Sequence, residues 1–173
     1  MTGPAVVAGT PESTPDSFLN VDVGGVEFWD IQGSPNNVIL TEWLGDGASM
    51  TGAGWDVVLE TVGASWASEA AILFGPASGG LINLRVGAVD SAPTPAGGTA
   101  YVSPGIVDFT DNALADIVIE ADALLYMEFH ETFDDVTDAF DSWFHAGSTI
   151  EIAGIEGPNG DWGGVTTSII EVP

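Results

Sequence analysis

The sequence contains no cysteine, which excludes disulfides, thiolate nucleophiles and cysteine-ligated zinc. It contains one basic residue, Arg85, against 26 Asp and Glu, so its net charge is −25. Proteins grip nucleic acid with Lys and Arg that displace counterions from phosphate, and anionic lipid surfaces attract the same residues. A chain with a single cation is therefore expected to bind neither nucleic acid nor membrane surfaces. Long apolar runs are missing as well. No stretch reaches the roughly 18 apolar residues of a membrane span, so no membrane insertion is expected. Met1 to Thr14 has neither a basic n-region nor a continuous apolar h-region, and does not read as a secretory signal.

What is present belongs to a folded protein. Hydrophobic residues make up 45% of the chain and charged residues 16%, a balance that acidic disordered tails do not show. The length suits one domain. With 23 Gly and 10 Pro, many turns are required, which argues against a helical bundle. Residues 1–16, MTGPAVVAGTPESTPD, hold three prolines and no sustained period, and read as a flexible leader before a single domain over 17–173.

From Phe18 onward, short segments rich in Val, Ile, Phe and Trp alternate with Gly, Pro, Asn and Asp clusters, the pattern of strands and turns. Strands are expected at 18–23, 26–31, 37–44, 54–62, 69–74, 81–89, 99–102, 105–109, 116–119, 123–131, 149–153 and 165–172. Gly24-Gly25 reads as a two-residue hairpin, and Asp46-Gly47 and Asn159-Gly160 as tight turns. In ALLYMEFHETF, Leu125, Met127, Phe129 and Glu131 share one face; both faces begin apolar, which suits a central strand. A dozen short strands at this spacing predict an all-β fold, an antiparallel β-sandwich of jelly-roll type with at most one or two short helical turns. Its core is expected to include Phe28, Ile39, Trp55, Val57, Leu59, Ile72, Phe74, Leu84, Val86, Ile117, Ile119, Leu125, Met127, Phe129 and Ile152. One stretch breaks the strand period. In TFDDVTDAFDSWF, Phe133, Val136, Phe140 and Trp143 recur at helical spacing, so a short helix or 3₁₀ loop is expected there.

No motif specifies a reaction. Glu128 and His130 stand two apart on one strand face, an arrangement open to metal ligation or acid/base work, although one His beside carboxylates is unsurprising in so acidic a chain. Ser65 and Ser68 lie outside any G-x-S-x-G elbow. Paired carboxylates suffice for glycoside hydrolysis, but among 26 of them a pair carries no information. The chain is accordingly expected not to be an enzyme. The densest acidic stretch, Glu131 to Asp141, supplies Asp134, Asp135, Asp138 and Asp141 as candidate calcium ligands, since calcium takes six to eight oxygens. The spacing is not that of an EF-hand, and the competing reading is a solvated acidic face with Phe133, Val136 and Phe140 packed inward. Of the six Trp, positions 29, 43, 55 and 66 fall in or beside strands and are expected in the core; Trp162, in PNGDWGG, is the candidate ligand contact.

The runs GAGWDVVLETVGASWASEAAILF (Gly52 to Phe74) and YMEFHETFDDVTDAFDSWFHAGSTIEI (Tyr126 to Ile152), with the terminal Val172-Pro173, resemble β-rich extracellular proteins of bacteria, cyanobacteria among them, that carry a PEP-CTERM sorting tail. In that family Val-Pro-Glu-Pro precedes a hydrophobic helix and basic residues that an exosortase processes; here the chain stops two residues into the motif, with the tail absent. The resemblance implies a secreted or cell-surface location in an envelope rich in polysaccharide, and it assigns no site residues. Two functions are therefore expected: a structural or interaction protein of the cell exterior, matrix-associated or assembling with identical subunits, or a carbohydrate-binding module for extracellular polysaccharide, with or without calcium.

Overall fold

The computed structural model describes residues 17–135 and 139–157. The leader 1–16, the expected strand 165–172, the Asn159-Gly160 turn, Trp162 and Asp138 all lie outside the described residues. Within them are twelve strands: β1 (Ser17–Asp22), β2 (Glu27–Phe28), β3 (Val38–Trp43), β4 (Ser49–Thr61), β5 (Ala70–Gly75), β6 (Ile82–Leu84), β7 (Thr99–Val102), β8 (Val107–Asp108), β9 (Ile117–Val118), β10 (Leu124–Glu131), β11 (Ser142–Phe144) and β12 (Thr149–Ile155). One 3₁₀ turn, Thr110–Asn112, is the helical content of the described residues, and none of them forms a helix long and apolar enough to cross a membrane.

Pairing groups the twelve strands into eight, three of them interrupted. β1 and β2 run as one broken strand along β12 and β11, which together follow one edge of β4; β7, β8 and β9 follow its other edge. The second sheet has the order β3-β10-β5-β6. First therefore pairs with last (β1·β12), β3 with β10, β4 with β7–β9, and β5 with β6, all antiparallel. This nested pairing, wound over two packed sheets, is a jelly roll.

The alternation that makes strands also fills the core. From β10, Leu125, Met127 and Phe129 point inward and are fully buried. They meet Met50, Val57, Leu59, Phe144, Ile150 and Ile152 of the opposite sheet. In β4 the inward phase shifts between Met50 and Ala53, where the register against β12 skips Thr51: Ala153 pairs with Gly52 and Gly154 with Met50. This bulge lets one 13-residue strand serve as a spine. Glycine is needed at 52, because a Cβ there would stand 2.7 Å from Ile106 and 2.8 Å from the Val107 carbonyl.

Several expectations are corrected. Ile39 is 40% exposed: in β3 the inward set is Leu40 and Glu42, so Ile39 points out, opposite Glu128. Trp55 and Leu84 only flank the core. Gly24-Gly25 is a tight turn, but β1 and β2 do not pair as a hairpin; Gly25, at φ 84°, moves the chain from β12 to β11. The end of the segment with helical spacing is extended instead. Residues 142–144 form β11, held between β4 and β2 by ladders that a helix would forfeit, and Phe133 is exposed rather than packed inward.

Candidate functional site

None of the five described tryptophans is fully buried, contrary to the core role expected of Trp29, Trp43, Trp55 and Trp66. Trp43 is 51% exposed and Trp66 is exposed as well. Trp55 lines a cleft of about 200 Å³ between the sheets, with Phe74, Ile82, Leu84 and Phe109. Trp29 and Trp143 point outward from the first sheet, half-buried, and build its most organised surface feature.

That feature follows from register. Trp143 of β11 lies directly between Glu27 of β2 and Glu60 of β4, so a central ring is flanked by a carboxylate from the strand on either side. His145 stacks on Trp143 at 5.6 Å with planes 20° apart. Phe140 meets Trp143 edge-on at 5.7 Å, and also meets Trp29 edge-on at 5.9 Å. Four half-buried rings thus form a row: Trp29, Phe140, Trp143, His145. The carboxylates are fixed: Trp29 Nε1 donates to Glu27 Oε2 at 3.0 Å, while Glu60 Oε2 lies 2.7 Å from His145 Nε2 and accepts from the Gly97 amide at 3.1 Å. Aromatic faces stack on the C–H faces of sugar rings, and flanking carboxylates accept from hydroxyls or amines. The chain's sequence shows Trp143 as part of a helical spacing, which concealed its place on a strand.

The candidate calcium residues are not brought together on one face. Asp134 and Asp135 are exposed, whereas Asp141 is 0% exposed. Asp141 Oδ1 accepts from Ser65 Oγ at 3.1 Å and Oδ2 from the Asp135 amide at 3.2 Å, so this carboxylate ties the β4–β5 loop to the β10–β11 loop. Burial pushes its pKa up, the two hydrogen bonds oppose the shift, and Asp134 and Asp135 add to it. Among the described residues no three acidic or histidine side chains are grouped so as to hold a metal ion.

Glu128 and His130 do not form a pair. Glu128 Oε1 accepts from the Gly33 amide at 2.5 Å and from Asn37 Nδ2 at 2.8 Å. His130 is buried; its Nδ1 donates to the Glu131 carbonyl at 3.1 Å, leaving Nε2 to accept from Asn83 Nδ2 at 3.3 Å. Ser65, bonded to Asp141, has no histidine partner among the described residues.

No protein-family model matches the chain, and no curated protein is similar to it. Among solved structures it is similar to one titled "Structure of infectious bursal disease virus Gt strain", with a TM-score of 0.44 and 15% identity, over 92% of this chain and 37% of that one. A likeness at that TM-score carries no functional argument.

Proposed function

We propose that the chain is a non-enzymatic interaction protein of the cell exterior that docks extracellular polysaccharide on the aromatic row of its first sheet, with or without calcium. The row Trp29–Phe140–Trp143–His145, flanked by Glu27 and Glu60, is the observation that carries this reading. Charge restricts the ligand class. A protein of net charge −25 repels anionic polysaccharide, so the row suits neutral or amine-bearing glycans. The location outside the cell rests on the resemblance to exosortase-sorted proteins.

A second reading, assembly with identical subunits, is favoured by the outer face of the four-stranded sheet, where Ile39, Trp43 and Leu81 are all exposed. A glycan array in calcium and in chelator, repeated with Trp143→Ala, tests the first reading. Binding to neutral or amine-bearing glycans should be lost in the variant while its melting temperature stays close to the parent's. Equal binding by both proteins, or none by either, rejects the row. Sedimentation of Trp43→Asp against the parent tests the second: large parent assemblies should dissolve in the variant.

A further inference from the structure

Glu131 is a carboxyl group in a place built for an apolar side chain. It continues the inward series Leu125, Met127, Phe129 on β10, is 0% exposed, and sits between the two sheets. The inward residue before it on the strand, Phe129, packs with Phe28 and Phe144, the three rings meeting one another edge-to-face at 5.0–6.4 Å. Its backbone is fixed by the Glu131 amide donating to the Asp30 carbonyl and by the pairing with Ala70 of β5. Oε1 accepts from Ser142 Oγ at 2.6 Å, across the sandwich. Oε2 is buried and has no hydrogen-bond partner among the described residues.

Among the described residues, none of the elements around it supplies a compensating cation. The β4–β5 loop contributes Glu69, and the β10–β11 loop contributes Asp135 and Asp141; all three carboxylates act on Glu131 unfavourably. On its own strand, His130 is engaged with the Glu131 carbonyl and Asn83. Asp30, beyond the Glu131 amide, directs its carboxylate to Ser34 and Asn36. Arg85, the chain's one basic residue, donates to the Ser68 carbonyl and is not among the charges acting on Glu131. An ionised carboxylate buried here, with an open lone pair and three acids acting on it, is costly; the neutral acid in the same place costs far less, since no charge is buried.

We propose that Glu131 is a proton-binding site, held as a neutral carboxylic acid at neutral pH, and that its ionisation loosens the packing it shares with Ser142, Glu69, Asp135 and Asp141. The electrostatics agree. Burial is the largest cause pushing its pKa from 4.5 up to about 8, with Asp141, Glu69 and Asp135 adding to it and Ser142 opposing. The folded state thus holds this proton more tightly than the unfolded chain. Its stabilising contribution is complete below about 4.5, declines as pH rises from there, and is gone above about 8.

The experiment is denaturant unfolding of the full chain from pH 4 to 10, alongside Glu131→Gln, which keeps the shape and removes the titration. The unfolding constant of the parent, relative to the variant, should rise by up to about tenfold per pH unit between pH 5 and 8 and level off above. Protection of the Glu131, Asp135 and Ser142 amides, taken relative to their intrinsic exchange rates at each pH, should fall over the same range in the parent alone. Identical pH profiles for the two proteins would overturn the proposal. Should Glu131→Gln fail to fold, the ¹³C carboxyl resonance of Glu131 in the parent decides: a midpoint above 7 supports the proposal, and one below 7 defeats it. Calcium alone supplies the last arm. A melting-temperature gain beyond equal-strength sodium chloride that disappears in Glu131→Gln would make the carboxyl a cation ligand and overturn the neutral-acid assignment.

Discussion

Phe129 and Glu131 occupy successive inward positions of one strand, yet they sit in opposite chemistries. Phe129 joins Phe28 and Phe144 in a layer held by burial and edge-to-face contacts, and each aromatic pair adds about 0.5–1.5 kcal/mol beyond the area it buries. One layer further, Glu131, Ser142 and Asp141 are buried to the same degree, but directional bonds hold them: Ser142 to Glu131, and Ser65 and the Asp135 amide to Asp141. The difference teaches that strand phase decides what points inward, while the layer it meets decides whether that is favourable. An aromatic layer is indifferent to pH. The acid layer depends on who holds the proton.

The largest expected effect lies in the aromatic layer. Phe129→Ala removes a fully buried ring shared with two others, and should cost about 3–5 kcal/mol in urea unfolding. The loss should be the same at pH 5 and pH 9. A cost that changed by more than about 1 kcal/mol across that range would mean that the two layers are coupled, and would break the comparison.

Ser142→Ala addresses the acid layer and should cost less, about 1–3 kcal/mol, because it removes one donor from a buried acceptor. Its pH dependence is the sharper test. Ser142 favours the ionised form of Glu131, so its removal should raise the Glu131 pKa further and cost more at pH 9 than at pH 6. Glu131→Gln should move the other way, its disadvantage shrinking as pH rises. If both variants followed the same trend in pH-dependent unfolding, Glu131 and Ser142 would not share the titration.

These layers were unequally legible in the chain. Alternation in 123–131 places Leu125, Met127, Phe129 and Glu131 on one face, so the inward direction of Glu131 was readable; what it would meet depends on β11, 11 residues later, and was not. β11 itself was hidden because Phe140 and Trp143 fit a helical period, whereas pairing with β4 and β2 made the segment extended. Thr99–Val102 matched its strand, being short, β-branched and bounded by Gly97-Gly98. β4 was expected to begin at Gly54, because glycines 52 and 54 weaken strand propensity and the Thr51 bulge breaks alternation; close packing of Ile106 over those glycines outweighs both effects. Tryptophan was misjudged from size alone. In β11 and just after β2 it stands on the outward phase, where strand register carries more information than hydrophobicity.

The smallest effect separates surface charge from the acid layer. With 26 acidic residues and one Arg, repulsion between exposed carboxylates opposes compaction, and salt screens it within about 8 Å at physiological strength. Raising sodium chloride from about 10 to about 150 mM should therefore raise the melting temperature, and relief of about 1 kcal/mol would appear as about 2–4 °C in a chain of this size. Ions cannot enter a layer with no exposed surface, so Glu131→Gln should gain as much from salt as the parent, even at pH 9 where the parent's acid is ionised. A melting temperature that fell with salt would reject surface repulsion as a destabilising force. A parent gain clearly larger than the variant's at pH 9, measured by scanning calorimetry on both, would show that ions reach Glu131.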